Sequence, residues 1–568
     1  MAGSRFDLDT KTIGGLPLVN HFLERLQFEP LLRRYLPPPD PRARLSPLKA
    51  LGVLVRNLVL ARVPLYSMEE WATEMVPTLL GLSPEELELL NDDRVARGLD
   101  YLFDTDRCTL LTAFMVHAVK EFGLSLKQLH NDSTTITLHG AYRKATGKLV
   151  RGKPTLVITF GHNKDHRPDL KQLLFILTVT ADGAVPVHFK VADGNTEDST
   201  THIETWTHLR QLVGSPQFLY VADSKLCTRD NLKYIHDRHG KFVTVMPRSR
   251  KEDGLFKDWL QEHTPPWEEV ARKPHPRLKD GPPDIFRAIP TPIPDADGFR
   301  VVWYLSSHKM ERDAEFRRSV CQRAGRELNT LKLRLEGPRP RFRSEAAVAR
   351  AIEEILKSAQ AERWIKYQVH RVEEAAFRQE RRGRPGHQTR WRRKLRTRFK
   401  ISWELNGEQI NYDAKCDGVF PLMTNCEKDE LPAVQLLDAY KSNQPFLEKR
   451  HDLLKNVEAA TPMYLKSPSR IEALLFLLFV ALLVHAVIER QIRRAMRRRH
   501  LKALPLYPEG RLCKAPSASR IMELFDNIQR HLLRKRGSLV QRFDPEITAT
   551  QEELVELLGL RADAFCGW

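Results

Sequence analysis

Residues 128–138 read QLHNDSTTITL, residues 173–180 LLFILTVT and residues 185–191 VPVHFKV, with Ala181-Asp182-Gly183 between the last two. Apolar and β-branched residues at a period of two predict a strand in each, and the Asp-Gly pair predicts a hairpin. A helix is expected from about Thr200 to Val213. Beyond it, Phe218–Ala222 (FLYVA) is short and nearly all apolar, the pattern of a strand buried on both faces, and Phe242–Met246 repeats it after an intervening helix. Three hairpin-linked strands followed by helix, strand, helix, strand place the chain in the α/β class, with helices flanking a mixed sheet.

On the N-terminal side, residues 15 to about 122 read as helix after helix. Ser46-Pro47 and Ser83-Pro84-Glu85-Glu86 set a capping hydroxyl before a proline, the second completing a capping box. Such a bundle accommodates a helix-turn-helix reader of DNA as well as plain core packing. On the C-terminal side, nine prolines between Pro265 and Pro294 predict a loop-rich excursion, with a strand at Val301–Leu305. Lys309–Leu335 and Ser344 to about Arg382 are charged helical patterns. Phe399–Leu405 and Val419–Met423 read as strands, about 431–500 as helical, and a last helix is expected near Ser519–Arg536.

The 568 residues exclude a single small module, and 91 Lys and Arg against 72 Asp and Glu leave a net charge of +19. A polyanionic partner follows. Hydrophobic residues at 42% and charged residues at 29% rule out wholesale disorder. Seven cysteines with no C-x-x-C pair offer neither a disulfide framework nor a thiolate zinc cage, so a reducing cytoplasm is expected. The first residues lack the apolar core of a signal peptide. Ala473–Ile488 is apolar except for His485; at about 1.5 Å per residue it falls short of a hydrocarbon layer about 30 Å thick, which predicts a buried core helix and no membrane span. No Walker-type glycine-rich loop is present, which argues against ATP-driven work on DNA.

Carboxylates are the candidate chemistry. Asp132 lies within the first strand, where a charge is costly unless something compensates it. Asp223 follows FLYVA, at the sheet edge where ligands gather in open α/β folds. On neighbouring strands the two can converge on a metal; singly, an edge-strand aspartate and a turn-capping aspartate explain them. Glu448 and Lys455 are two helical turns apart and share a face, which presents an acid and a base to a site or is merely solvated.

Asp132 in NDSTTITLHG, Asp223 in VADSKL, then DGVFPLMTN ahead of YKSNQPFLEKRHDLLK resemble the DDE transposases of bacterial insertion sequences. The likeness is to the IS-four-like superfamily, in its branch with an extra helical N-terminal domain. It implies an RNase H-like mixed sheet flanked by helices, and a long mixed β/helical insertion before the catalytic helix. The segments are then 1–122 (helical, DNA-end binding), 123–262 and 426–500 (the two parts of the core), 263–425 (the insertion) and 501–568 (a helical tail). The resemblance makes Asp132, Asp223 and Glu448 the catalytic and metal-binding triad, holding two Mg²⁺ for which Mn²⁺ substitutes. Lys455 would grip a terminal phosphate. The family's arginine position falls on Gln444, and Tyr440 stands one residue earlier than its tyrosine.

Arg378–Lys400 holds eleven Lys or Arg in 23 positions. Arg382, Arg384, Arg390, Arg392, Arg393 and Lys394 are the candidate DNA contacts, by backbone binding, by Arg-Gly-Arg-Pro lying in a narrow minor groove, or as a solvated linker. Arg490–His500 is a second basic run, expected to turn its arginines to DNA. The reading is a cytoplasmic, nucleoid-associated transposase that binds the terminal inverted repeats of its element as a homodimer and cleaves and joins double-stranded DNA. A hydrolytic nuclease on the same core, a transposase-derived DNA-binding protein without catalysis, and a membrane-associated polybasic protein are the alternatives.

Overall fold

The computed structural model describes residues 6–275, 281–337, 342–442, 444–460 and 465–566, apart from the side chains of residues 444, 456–460 and 562. The chain divides into two compact units, residues 1–244 with 436–568, and residues 245–435.

In the first unit, five strands form a mixed sheet: β1 (Gln128–Leu138), β2 (Lys171–Thr180), β3 (Pro186–Ala192), β4 (Leu219–Ala222) and β5 (Lys241–Val245), in the order β3-β2-β1-β4-β5. β1, β2 and β3 are antiparallel; the expected hairpin joins β2 and β3, but β1 and β2 are joined by the long connection 139–170. β4 and β5, each reached through a helix, α1 (His202–Val213) and α2 (Arg229–Asp237), run parallel to β1. β2 is buried along nearly its whole length, which explains its unbroken apolar run.

The N-terminal segment is helical as the spacing predicts, with helices at Leu16–Arg25, Phe28–Tyr35, Pro47–Leu60, Asp92–Asp104 and Arg107–Phe122. Ser83 and Glu86 form the expected capping box, whereas Ser46 makes no side-chain cap bond. Two helices complete the core: α3 (Gln444–Ala460), which packs on β1, and α4 (Pro468–Arg498), which packs on β3, α3 and the N-terminal helices. The apolar stretch of α4 is 94% buried within the protein, so its hydrophobicity serves a core. His485, at its centre, is neutral; burial takes its pKa down to about 3, and its Nε2–H donates to the Val59 carbonyl at 3.1 Å.

Two expectations fail in this unit. Arg490 is buried, and its guanidinium donates to the Phe122 and Gly123 carbonyls at 2.7 and 2.9 Å and pairs with Asp182. It satisfies the orphan acceptors at a helix C-terminus and is not turned to DNA. The expected last helix stops at Glu523, and Gln529–Lys535 is a strand paired with Phe6–Thr12, a partner too distant in sequence for local periodicity to reveal.

In the second unit, β6 (Glu268–Lys273), β7 (Asp284–Pro290), β8 (Arg300–Ser306) and β11 (Val419–Thr424) form an antiparallel array in the order β11-β8-β7-β6. The proline-rich stretch therefore contains strands: apart from Pro290 at the end of β7, its described prolines lie outside them. A helix at Ser307–Glu336 matches expectation, but the second charged helix, Glu345–Ala359, ends at Gln360 in a left-handed conformation. Ile365–Gln379 is instead strand β9, paired in register over fifteen residues with β10 (Trp391–Leu405). Charges on both faces, Lys366, Glu374 and Arg378 on one and Arg371 and Glu373 on the other, disguise its alternation as a charged helix. The base of this ribbon, with Phe399 and Ile401 buried, packs on the two helices.

Arg450 of α3 and Glu489 of α4 are each 1% exposed and joined at 2.9 Å, with Arg450 also donating to the Ala184 carbonyl. Removing one partner of a buried pair strands the other charge, at about 3–5 kcal/mol. Glu489→Ala should therefore lower the unfolding free energy by about that amount in denaturant titration, while the double change Arg450→Leu with Glu489→Leu recovers most of it.

Candidate active site

β1 and β4 are neighbouring parallel strands whose last aligned pair is Asn131 with Ala222. The next residues are Asp132 and Asp223, so the two carboxylates leave adjacent strands at the same level, about 5 Å apart along the hydrogen-bonding direction. The Ser133 amide donates to Asp132 Oδ1 at 2.8 Å and the Lys225 amide to Asp223 Oδ1 at 3.0 Å. Thr244 Oγ1 donates to the Asp223 carbonyl at 2.7 Å, which ties the end of β5 to the same edge.

Both acids border a cavity of about 60 Å³ lined also by Tyr440 and Leu447. It has room for a few waters or a hydrated ion. Burial raises the pKa of Asp132 above the usual carboxylate range, against the attraction of Lys164 and Lys455; burial and the neighbouring Asp132 charge do the same for Asp223. Two carboxylates that repel each other in a small cleft are hard oxygen donors in want of a cation, and the chemistry of this pair fits a divalent ion such as Mg²⁺.

The third candidate comes from α3. At 3.6 residues per turn, Leu447 and His451 share one stripe, and Glu448 and Lys455 lie at its flank. Leu447 lines the cavity, and His451 Nδ1 stands 3.6 Å from Asp132 Oδ2. Burial, with Lys164 and Lys455 nearby, brings the His451 pKa down to about 3, so this contact is not an ion pair at neutral pH. Glu448 is exposed, yet its charge, with those of Asp223 and Asp132, acts on the buried Tyr440 hydroxyl. Among the described residues, no three His, Cys, Asp or Glu side chains stand together at metal-ligating spacing. Asp132 and Asp223 are thus brought together, while Glu448 is not among the residues that line the cavity. Lys455 is ion-paired with Asp165, and the Gln444 side chain lies outside the described residues.

Residues 8–116 match a family model described as Domain of unknown function (DUF4277). Among solved structures, the chain is similar to a piggyBac transposase synaptic complex with hairpin DNA, at 8% identity over 90% of this chain and 77% of that one, with a TM-score of 0.34. It is similar also to a Mos1 transposase paired-end complex with left transposon end, at 9% identity over 40% and 73% of the two chains, with a TM-score of 0.14. No curated protein matches. Overlaps this loose leave the chemistry to be argued from the side chains.

Sequence spacing misses two neighbours of the acids, Lys164 and His451. Lys164 Nζ donates to the Ser133 carbonyl at 2.7 Å and pairs with Asp198 at 2.8 Å, and Ser133 Oγ donates to the same carboxylate. Its ammonium offsets part of the negative charge of both acids. His451 reaches Asp132 by the packing of α3, which no local pattern records, and Tyr440, one residue ahead of the family's tyrosine position, lines the cavity. The candidate DNA contacts lie in the second unit: Arg382, Arg384 and Arg390 in the loop between β9 and β10, and Arg392, Arg393 and Lys394 on β10.

A carboxyl whose pKa is raised by folding destabilises the fold once ionised, an effect absent below the ordinary carboxylate range and full above the raised value. Asp132→Asn and Asp223→Asn should therefore each raise the melting temperature of the metal-free protein at pH 7, a lead that vanishes as the pH falls through the carboxylate range. Thermal melts across pH check it. Mg²⁺ should raise the wild-type midpoint more than that of either variant.

Proposed function

We propose that this chain is a DDE-type transposase of a prokaryotic insertion sequence, which binds terminal inverted repeats and catalyses cleavage and transfer of DNA strands. The observation that carries the reading is the half-buried carboxylate pair, Asp132 and Asp223, abreast on neighbouring parallel strands beside a helix bearing Glu448. The strand order, three antiparallel strands and then two parallel ones, supports an RNase H-like core, and the charge of +19 supports a polyanionic substrate.

Asp132 and Asp223 would hold Mg²⁺, with Glu448 completing the set once α3 engages DNA. The chemistry such ions would supply at these residues is Lewis acidity, which would ease deprotonation of an attacking water or 3′-hydroxyl and offset charge on the leaving oxygen. The chain's own groups do the rest. Burial and the surrounding carboxylates hold the Tyr440 phenol protonated, so it stays a neutral donor for a phosphate oxygen. Lys455, on the flank of α3 with Glu448, exchanges Asp165 for a DNA phosphate as a point charge. Neutral His451 fills the wall beside Asp132 without competing for its charge.

The absence of a third described side chain at ligating spacing favours a second reading, a transposase-derived protein that binds DNA without cutting it. One assay separates the readings. A labelled duplex carrying the element's end should be nicked by the wild type in Mg²⁺, and its 3′-hydroxyl joined to a target. Alanine at Asp132, Asp223 or Glu448 should abolish both steps while duplex affinity stays nearly unchanged. Cleavage that survives Asp223→Ala refutes the site, cleavage without joining makes the protein a nuclease, and no cleavage at all favours the inactive derivative.

A further inference from the structure

The ribbon of β9 and β10 runs in register with no bulge over fifteen residues per strand, about 50 Å at 3.3 Å per residue. Alternation therefore sorts its side chains cleanly onto two faces. Phe399 and Ile401 are buried on the helices, so the odd-numbered positions of β10 face that way. Farther out the same face carries Leu395, Phe377 and Trp391, all exposed, with Arg371, Glu373 and Arg393 as its charges.

The even-numbered face differs. From the His370–Lys400 pair to the Arg378–Arg392 pair it holds six cations, Arg378, Arg392, Lys394, Arg396, Arg398 and Lys400, and one carboxylate, Glu374, for a net +5. The odd face over the same length holds two cations and one carboxylate, a net +1. Arg398 is committed internally: it pairs with Glu374 at 2.6 Å and donates to the Glu336 and Gly337 carbonyls. The other five are exposed, and none has a carboxylate partner among the described residues. Successive cations on one strand stand about 6.7 Å apart in a row.

We propose that this even-numbered face is a docking surface for the backbone of duplex DNA, and that the odd-numbered face, Arg393 included, turns away from it. The inference rests on the reading of the protein as one that acts on DNA, and it changes the expected contacts: Arg396, Lys400 and Arg378 join Arg392 and Lys394, and Arg393 leaves. A two-stranded ribbon is of a size that the major groove admits, and a row of cations on one side suits a polymer with one charge per about 1.7 Å of axis.

Arg393 and Lys394 are neighbours of equal charge on opposite faces, so they make the test. With the full chain and a random-sequence duplex, Lys394→Gln should flatten the plot of log affinity against log salt by about 0.9, and Arg393→Gln should leave it unchanged. The triple variant Arg392→Gln, Lys394→Gln, Arg396→Gln should flatten it by about 2.7. Lys394→Arg should restore the wild-type slope, and unchanged circular dichroism shows that the fold is kept. Equal losses at Arg393 and Lys394, or a triple variant with the wild-type slope, overturn the proposal. So does pelleting with anionic phospholipid vesicles that Lys394→Gln abolishes while duplex binding is untouched, which assigns the face to a lipid surface. Wild type that binds duplex with this face dependence but never cleaves in Mg²⁺ refutes the transposase reading and leaves the ribbon standing; wild type that binds no duplex refutes both.

Discussion

The ion pair between Arg450 and Glu489 holds the candidate site together. Both groups are withdrawn from water, and Glu489 also accepts from the Ala518 amide at 3.1 Å, so the pair links α3, α4 and the chain beyond α4. A buried ion pair earns little stability over a well-packed apolar one, because desolvation cancels most of the attraction. Its value here is directional. With Arg450 fixed inward, the rotation of α3 is set: Leu447 and His451 meet β1, and Glu448 and Lys455 fall along the flank. Apolar packing alone would leave that roll less sharply defined.

The cost on the other side of the site is electrostatic. Asp132 and Asp223 are forced together by the register of two parallel strands, and each is harder to ionise than in water. Lys164, anchored by Asp198 and Ser133, relieves part of this without neutralising it. A fold that keeps such a cluster sacrifices stability in the absence of a bound cation, the usual signature of a site arranged for a ligand.

Much of this could be read before the structure. The period-two runs at 128–138 and 173–180 and the apolar FLYVA segment are strands because their hydrophobicity matches a doubly covered sheet, and both aspartates stood out as charges at its edge. Patterns that depend on distant partners were not legible. β9 reads as helical because charges fall on both of its faces; Gln529–Lys535 is a strand only because Phe6–Thr12 lies beside it; Arg490 reads as a surface cation, yet the carbonyls of Phe122 and Gly123 lie against it. Lys164 and His451 have no local signal for the same reason, since each reaches the acids through tertiary packing, whereas Tyr440 stands out beside the family's tyrosine position. Glu448 stands out by its spacing to Lys455 and by family resemblance; its side chain is exposed and does not line the cavity where the acids meet.

The central claim is that Asp132, Asp223 and Glu448 serve one metal site. Anomalous scattering at the manganese edge, from crystals of the DNA complex grown with Mn²⁺, tests it most directly. The expected result is a peak within coordination distance of oxygens of both aspartates, with the Glu448 carboxylate turned in to meet it. A DNA-bound structure with no peak between Asp132 and Asp223, or with manganese held by other side chains, would contradict it.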